Sequence, residues 1–209
     1  MKVTVIGTGN MGSAFAKQLS SAGHTVRITG RDTEKAKALA DRFPNVNAYT
    51  ASEALGDSDV VIVATAYSDA AQALQSLGDL SAKVIIDITN PLSADYMSLT
   101  IGHVTSASEE IAKAAPRAHV VKAFNTLFAQ VLADGPGFSN DQRGHVFVAG
   151  DNDRAKQTAI SLAQSMGWNT LDAGGIVNAR YLEPLAGLNI YLGYGAGLGT
   201  SIAPVWLNR

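Results

Sequence analysis

The sequence predicts an α/β protein: a doubly wound, mostly parallel sheet of about eight strands followed by a short C-terminal helical segment. Three observations carry that expectation. Short β-branched runs alternate with helical patterns along the 209 residues. Most of the runs are continuously apolar, as strands covered on both faces are. A glycine-rich turn joins the first strand to the first helix.

The strands are expected at Lys2–Ile6, Thr25–Thr29, Val46–Tyr49, Val60–Ala64, Val84–Ile88, His119–Ala123, His145–Ala149 and Asn169–Leu171. Between them lie helices with readable ends. Met11, Phe15 and Leu19 form an i, i+4, i+8 stripe that Gly23 closes as a C′ residue. Asp32 is placed to cap the helix that contains Ala36 and Leu39. Ser106 and Glu109 have capping-box spacing ahead of Ile111. Asp151 is expected to cap a helix whose apolar face is Ala155, Ala159, Leu162, Ala163 and Met166, with Gly167 as its stop. The one compositional break falls near Gly174-Gly175. It divides a nucleotide-binding domain, residues 1–172, from a C-terminal segment, residues 173–209.

Composition narrows the function. There is no cysteine, which excludes disulfides, thiolate catalysis and cysteine-ligated metals. A net charge of −2 leaves no electrostatic footprint for nucleic acid or an anionic membrane. An apolar content of 46% excludes intrinsic disorder. The apolar stretch after Met1 is too short for a signal peptide, so a cytoplasmic protein is expected. Charged residues are only 16%, against about 25% in ordinary globular proteins. Much of the deficit lies in Pro184 to Asn208, 25 residues without a charge. That length could span a bilayer. Gly187, Asn189, Gly193, Gly195, Gly197, Gly199 and Pro204 dilute it, so a buried or subunit-facing helix, not a membrane span, is expected.

Gly7-Thr8-Gly9-Asn10-Met11-Gly12 is G-x-G-x-x-G between a strand and an amphipathic helix, with a second strand beginning at Thr25. That is the context of a Rossmann-type dinucleotide site. The first glycine permits the tight turn, the second lets backbone approach a diphosphate, and the third lets helix and strand pack closely. The N–H groups at the helix start then face the anion. A glycine-rich turn without a ligand is the bland alternative.

The end of the second strand decides between the two dinucleotides. An NAD-type site places a carboxylate there for the ribose 2′-hydroxyl. Gly30 holds that position, Arg31 follows and Lys35 lies one turn on. This removes repulsion and supplies a cationic fork for a 2′-phosphate, so NADP(H) is the expected cofactor. In the competing reading Asp32 is the NAD-type acid, about 20 residues past Gly12.

Ligands in such sheets lie beyond the carboxyl ends of the strands. The fourth strand runs into Ala64-Thr65-Ala66, small residues that let a dinucleotide pass. Asn90, before Pro91, could reach a ribose, and Asn125 could reach the nicotinamide or the acceptor. For each, a loop-closing side-chain hydrogen bond is an equal alternative. His24, His119 and His145 read as structural or solvated, and His103 as a minor site candidate. No metal site, catalytic dyad or nucleophile motif is present, so no catalytic side chain is assigned.

These residues resemble the NADPH-dependent reductases typified by coenzyme F₄₂₀:NADP oxidoreductase, and the nucleotide domain of STEAP-type metalloreductases. The resemblance covers nearly the whole chain. It rests on Gly7–Gly12, Gly30-Arg31, Thr89-Asn90-Pro91, Ser106 to Ala112, Val120 to Thr126, and Asn178 to Ala186. It implies NADPH across the strand ends, with the diphosphate on Thr8 to Met11 and the 2′-phosphate on Arg31 and Lys35. The nicotinamide would lie near Ala66, Asn90 and Asn125 to Ala129. It also implies eight strands with the seventh antiparallel, and a C-terminal helical segment packed in a homodimer. Some members carry a serine or threonine where this chain has Gly30. β-Hydroxyacid dehydrogenases share the first half of the pattern but need a helical domain of some hundred residues. Only 38 follow Leu171, which disfavours them.

The expected function is hydride transfer between NADP(H) and a flavin-like or other small redox acceptor. A non-catalytic NADP(H) sensor and a flavin-assisted ferric or quinone reductase are the alternatives.

Overall fold

The computed structural model describes residues 1–207. Asn208 and Arg209, which close the C-terminal segment expected from the sequence, lie outside the described residues. Eight strands form one sheet in the order β3-β2-β1-β4-β5-β6-β7-β8. They are β1 Lys2–Ile6, β2 Thr25–Thr29, β3 Val46–Ala48, β4 Val60–Val63, β5 Val84–Asp87, β6 His119–Lys122, β7 His145–Gly150 and β8 Asn169–Asp172. The first six run parallel, β7 pairs antiparallel with β6, and β8 runs parallel to β7.

The helices are α1 Asn10–Ser21, α2 Thr33–Ala40, α3 Ala51–Ala54, α4 Tyr67–Gln75, α5 Ala107–Ala114, α6 Ala129–Asp134, α7 Asp153–Ser165 and α8 Ala179–Ile190. The continuous apolar runs behave as read. On β4, Val60 and Ile62 face a core built with α1, α2, α6 and α7, while Val61 and Val63 face a second core with α3, α4 and α5. A smaller cluster of Phe147, Ala149 and Leu182 seats α8 against β7.

Capping follows the sequence with one correction. The Asp32 side chain accepts from Lys35 N, and Ser106 accepts from Glu109 N while its hydroxyl donates to the Glu109 carboxylate. Gly23 ends α1 in the left-handed region, φ 79°. Asp151 does not cap α7. Asn152 does, accepting from Ala155 N at 2.9 Å. The ladder of β7 carries the chain through Gly150, one residue beyond the expected end, so the cap position falls one residue later. Asp151 instead accepts from Ile176 N and ties the loop before α8.

Among the described residues no helix is long and apolar enough to cross a membrane. The uncharged C-terminal run forms the second half of α8, a π-turn over Tyr191–Gly195, and an extended tail.

Candidate nucleotide site

The strand order reverses at β1, whose neighbours β2 and β4 lead to opposite halves of the sheet. That switch point is where open α/β sheets bind ligands. Three glycines build it, and only two are dictated by packing. A Cβ on Gly7, φ 124°, would lie 2.2 Å from the Ala64 carbonyl oxygen, and one on Gly12 would lie 1.9 Å from the Gly7 carbonyl oxygen. Gly9 is exposed, with nothing within 4 Å of where its Cβ would stand. Packing therefore does not explain Gly9, whereas backbone approach by a ligand does. Gly9 is also the N-cap of α1 and supplies no side-chain hydrogen bond. The helices that open beyond β1, β3, β4 and β6 (α1, α3, α4 and α6) lack a side-chain cap, as does α8, while α2, α5 and α7 have one. Donors at helix starts need partners, and of these α1 and α4 are the longer helices that open at the edge on either side of the β1 crevice without a side-chain cap.

At the end of β2, a Cβ on Gly30 would press on the Thr8 methyl at 3.1 Å. The glycine thus leaves room for the Thr8 side chain, whose hydroxyl lies beside the same spot. Asp32 is committed to capping α2 and has Lys35 Nζ 3.7 Å away. Arg31 is 92% exposed at its side chain and meets Asp69 of α4 at 3.4 Å, bridging over the end of β1. Lys35 follows on α2. It lines a recess of about 310 Å³ between α1 and α2, together with Thr8, Gly9, Asn10 and Arg42.

Asn90 and Asn125 are bound to each other. Asn90 Nδ2 donates to the Asn125 carbonyl at 2.8 Å, and Asn125 Nδ2 donates to Asn90 Oδ1 and to the Leu182 carbonyl. The loop-closing reading is therefore observed, while Asn125 Oδ1 stays buried without a partner. The preceding Phe124 has φ 60°, a left-handed conformation that costs an aromatic residue about 1–3 kcal/mol. Its ring is fully buried and edge-on to Phe15, centroids 5.1 Å apart, which holds the turn that presents Asn125. Ala64, Thr65, Ala66 and Ala129 lie at the same strand edge, with Ala66 and Phe128 as the residues that open α4 and α6. His103 is exposed, φ 59°, and makes no side-chain hydrogen bond among the described residues.

The sequence reading missed a buried charge cluster beneath this edge. Lys122, Asp87 and Glu183 have side chains 0%, 0% and 1% exposed. Lys122 Nζ donates to Asp87 at 2.8 Å and to the Thr89 carbonyl at 2.6 Å, and lies 2.9 Å from Glu183. Ser108 Oγ and Thr89 N complete Asp87, while Ala107 N and Ser108 N, the first turn of α5, donate to Glu183. A lysine inside Val-Val-Lys-Ala-Phe was the available signal. The cluster fixes α8 to α5 and the sheet, and Thr89 carries it directly to Asn90. Also missed was a trough of about 530 Å³ over α1, lined by Asn10, Ser13, Lys17, Arg42, Phe128 and Tyr194 among others.

Fold and site together define a Rossmann-type dinucleotide-binding protein. The model of the NADP oxidoreductase, coenzyme F₄₂₀-dependent family matches residues 2–91. A crystal structure assigned to an F₄₂₀-dependent NADP reductase of an Arthrobacter species superposes with a TM-score of 0.87 at 30% identity, covering 96% of each chain. The metalloreductase STEAP3 of Rattus norvegicus is 31% identical over 185 residues, 88% of this chain and 36% of that protein, and human STEAP2 is 28% identical over 184. The chain thus spans about a third of the length of these curated relatives. An imine reductase of a Pseudomonas species, TM-score 0.67 at 24% identity, shares the fold. The chain belongs to the coenzyme F₄₂₀-dependent NADP oxidoreductase family.

Proposed function

We propose that the protein is an NADP(H)-dependent oxidoreductase that passes hydride between the nicotinamide and a flavin-like small redox acceptor. The end of β2 carries this reading. It presents Gly30 and the exposed Arg31, and its one carboxylate, Asp32, is occupied as a helix cap. An NAD-type ribose contact has no free acid there, and a 2′-phosphate has a guanidinium within the reach of a side-chain rotation. Arg31 is the main 2′-phosphate ligand, with Lys35 reaching in from the α1 side. Thr8 places a hydroxyl beside Gly30.

The diphosphate lies on the N–H groups of Thr8 to Met11, where Gly9 opens the backbone and α1 adds its dipole. The nicotinamide end lies beyond Ala64, Thr65 and Ala66, against Asn90, Asn125 and Ala129. Asn125 Oδ1, the buried oxygen without a partner, accepts from the carboxamide. When bound, the nicotinamide supplies or receives the hydride, and the protein's part is orientation and exclusion of water. Asn90 and Asn125 carry no titrating group, which suits transfer between two ring systems.

A homodimer through α8 belongs to this reading. On α8, Tyr181, Pro184 and Leu188 are exposed and spaced three and four apart, and Val177 just before the helix and Tyr191 just after it are exposed as well. That is the seam spacing of helices packed side by side. Pro184 forgoes one ladder hydrogen bond on this outward face.

The test follows loss of the reduced-nicotinamide absorbance with a panel of flavins, deazaflavin, quinones and ferric chelates. Turnover of NADPH with a flavin or deazaflavin is expected. Tight NADPH binding without turnover of any acceptor would replace this reading with the sensor.

A further inference from the structure

Lys122, Asp87 and Glu183 take no part in the proposed transfer, and their side chains are 0%, 0% and 1% exposed. Stability is a poor reason for keeping them. Taking charges out of water costs so much that a well-packed apolar set of the same volume commonly holds a core as well or better. What the three side chains do hold is the backbone around the Asn90–Asn125 pair.

Two routes run from the cluster to that pair. On the first, Lys122 Nζ donates to the Thr89 carbonyl at 2.6 Å while Thr89 N donates to Asp87 Oδ1 at 2.8 Å. The residue before Asn90 is thus gripped at both of its peptide groups. On the second, Glu183 accepts from Ala107 N at 3.0 Å and lies 2.9 Å from Lys122 Nζ, which pins the turn of α8 on which it stands. Leu182, its neighbour, offers its carbonyl to Asn125 Nδ2 at 2.9 Å. Nδ2 spends its two protons on Leu182 O and Asn90 Oδ1, and these two acceptors fix which way the amide points. Asn125 Oδ1 is left buried, oriented and without a partner among the described residues.

Resting on the nicotinamide placement in the oxidoreductase reading above, we infer that Lys122 is a positioning residue: together with Asp87 and Glu183 it sets the direction in which Asn125 Oδ1 meets the carboxamide. It acts through Thr89 and Leu182, from inside the core. The adenosine end is outside its influence, because the glycine turn, Arg31 and Lys35 belong to the β1–α1–β2–α2 half of the sheet. Loosening the cluster therefore costs the nicotinamide half of the ligand and spares the other.

Calorimetric titration with two probes tests this: NADP⁺, and adenosine 2′,5′-bisphosphate, which keeps the 2′-phosphate and lacks the nicotinamide. Lys122→Met is expected to weaken NADP⁺ about tenfold, the scale of one lost hydrogen bond, and to leave the bisphosphate within about twofold. Glu183→Gln keeps the shape of its side chain and is expected to show the same pattern at about threefold, so it carries the test if Lys122→Met does not fold. Because the cluster acts through Asn125, adding Asn125→Ala to either variant should lose little more than Asn125→Ala alone. Parallel losses of both probes, additive losses in the double variants, or unchanged NADP⁺ affinity in the folded variants would overturn the positioning role and leave the cluster a structural brace. Failure of the parent reading looks different: the unmodified protein would bind the bisphosphate as tightly as NADP⁺, or Asn125→Ala alone would leave NADP⁺ unaffected, and the positioning role would fall with it.

Discussion

Arg31 is the residue on which cofactor choice turns. Among the described residues its guanidinium is held by an exposed contact to Asp69 alone, and an exposed pair of that kind is worth about 0–1 kcal/mol, so a phosphate can displace it. Arg31→Ala is expected to weaken NADPH by about 1.5–3 kcal/mol and to leave NADH almost unchanged. Calorimetric titration with both nucleotides checks this, and equal losses would remove Arg31 from the site. Lys122 makes a different prediction. Lys122→Met leaves Asp87 and Glu183 buried without their cation, at a cost of about 3–5 kcal/mol in urea unfolding. A smaller loss at unchanged slope would mean that the cluster is hydrated. These two residues also mark what could be read in advance. The place of Arg31, one residue past Gly30 at the end of β2, was legible because the strand signal is local, and its role is what that titration tests. The Lys122 cluster was not, because its three members are 35 and 61 positions apart and meet only through β5, β6 and α8. The Asn90–Asn125 pair was half legible: each residue was placed at the right edge, and their mutual hydrogen bond across 35 residues was not foreseen.

At the scale of elements, β1, the glycine turn and α1 form one steric unit. Gly12→Ala drives a methyl group into the Gly7 carbonyl, where backbone stands on both sides. The βαβ unit is expected to lose its register, with loss of NADPH binding and a fall of several degrees in the thermal midpoint. Gly9→Ala, with open space around it, should leave that midpoint unmoved and weaken only the nucleotide. Equal thermal loss in both variants would mean that Gly9 too is structural. His24 ties three elements together. Its ring reaches the amine of Met1 at 3.0 Å and Ser165 of α7 at 2.8 Å. Burial, aided by the terminal amine's charge, holds its pKa below the ordinary histidine value. The unfolded chain therefore binds the proton more readily, so this contribution is present above about pH 6.5. It is lost as pH falls through the lowered folded value. Urea midpoints of the wild type should drop from pH 7.5 to 5.5 by more than those of His24→Gln, and equal drops would contradict the assignment. Most elements were legible because their signals are local: apolar runs, caps and stop glycines. Asp151 was misplaced because a strand's last residue depends on its partner. β7 keeps pairing through Gly150, which moves the cap to Asn152.

At the scale of the whole molecule, the scarcity of charge divides in two. A sheet covered on both faces consumes apolar residues in two cores. The rest lies on α8 and the tail, where Tyr181, Leu188, Tyr191, Leu198, Trp206 and Leu207 are exposed. A surface of this kind on a monomer invites a partner. Light scattering at micromolar concentration should give twice the mass of the 21.8 kDa chain, and Leu188→Glu should halve it. A monomeric wild type would leave that face unexplained. Sequence alone located this segment by its missing charges, but which of its side chains are exposed together required the helix phase that the structure supplies.

The crevice at β1 is proposed to select a 2′-phosphorylated dinucleotide. Its most direct test is calorimetric titration of the wild-type protein with NADPH and, separately, NADH. NADPH is expected to bind more tightly by about 1.5–3 kcal/mol, the worth of hydrogen bonds to a charged group. Equal affinities, or tighter binding of NADH, would contradict it.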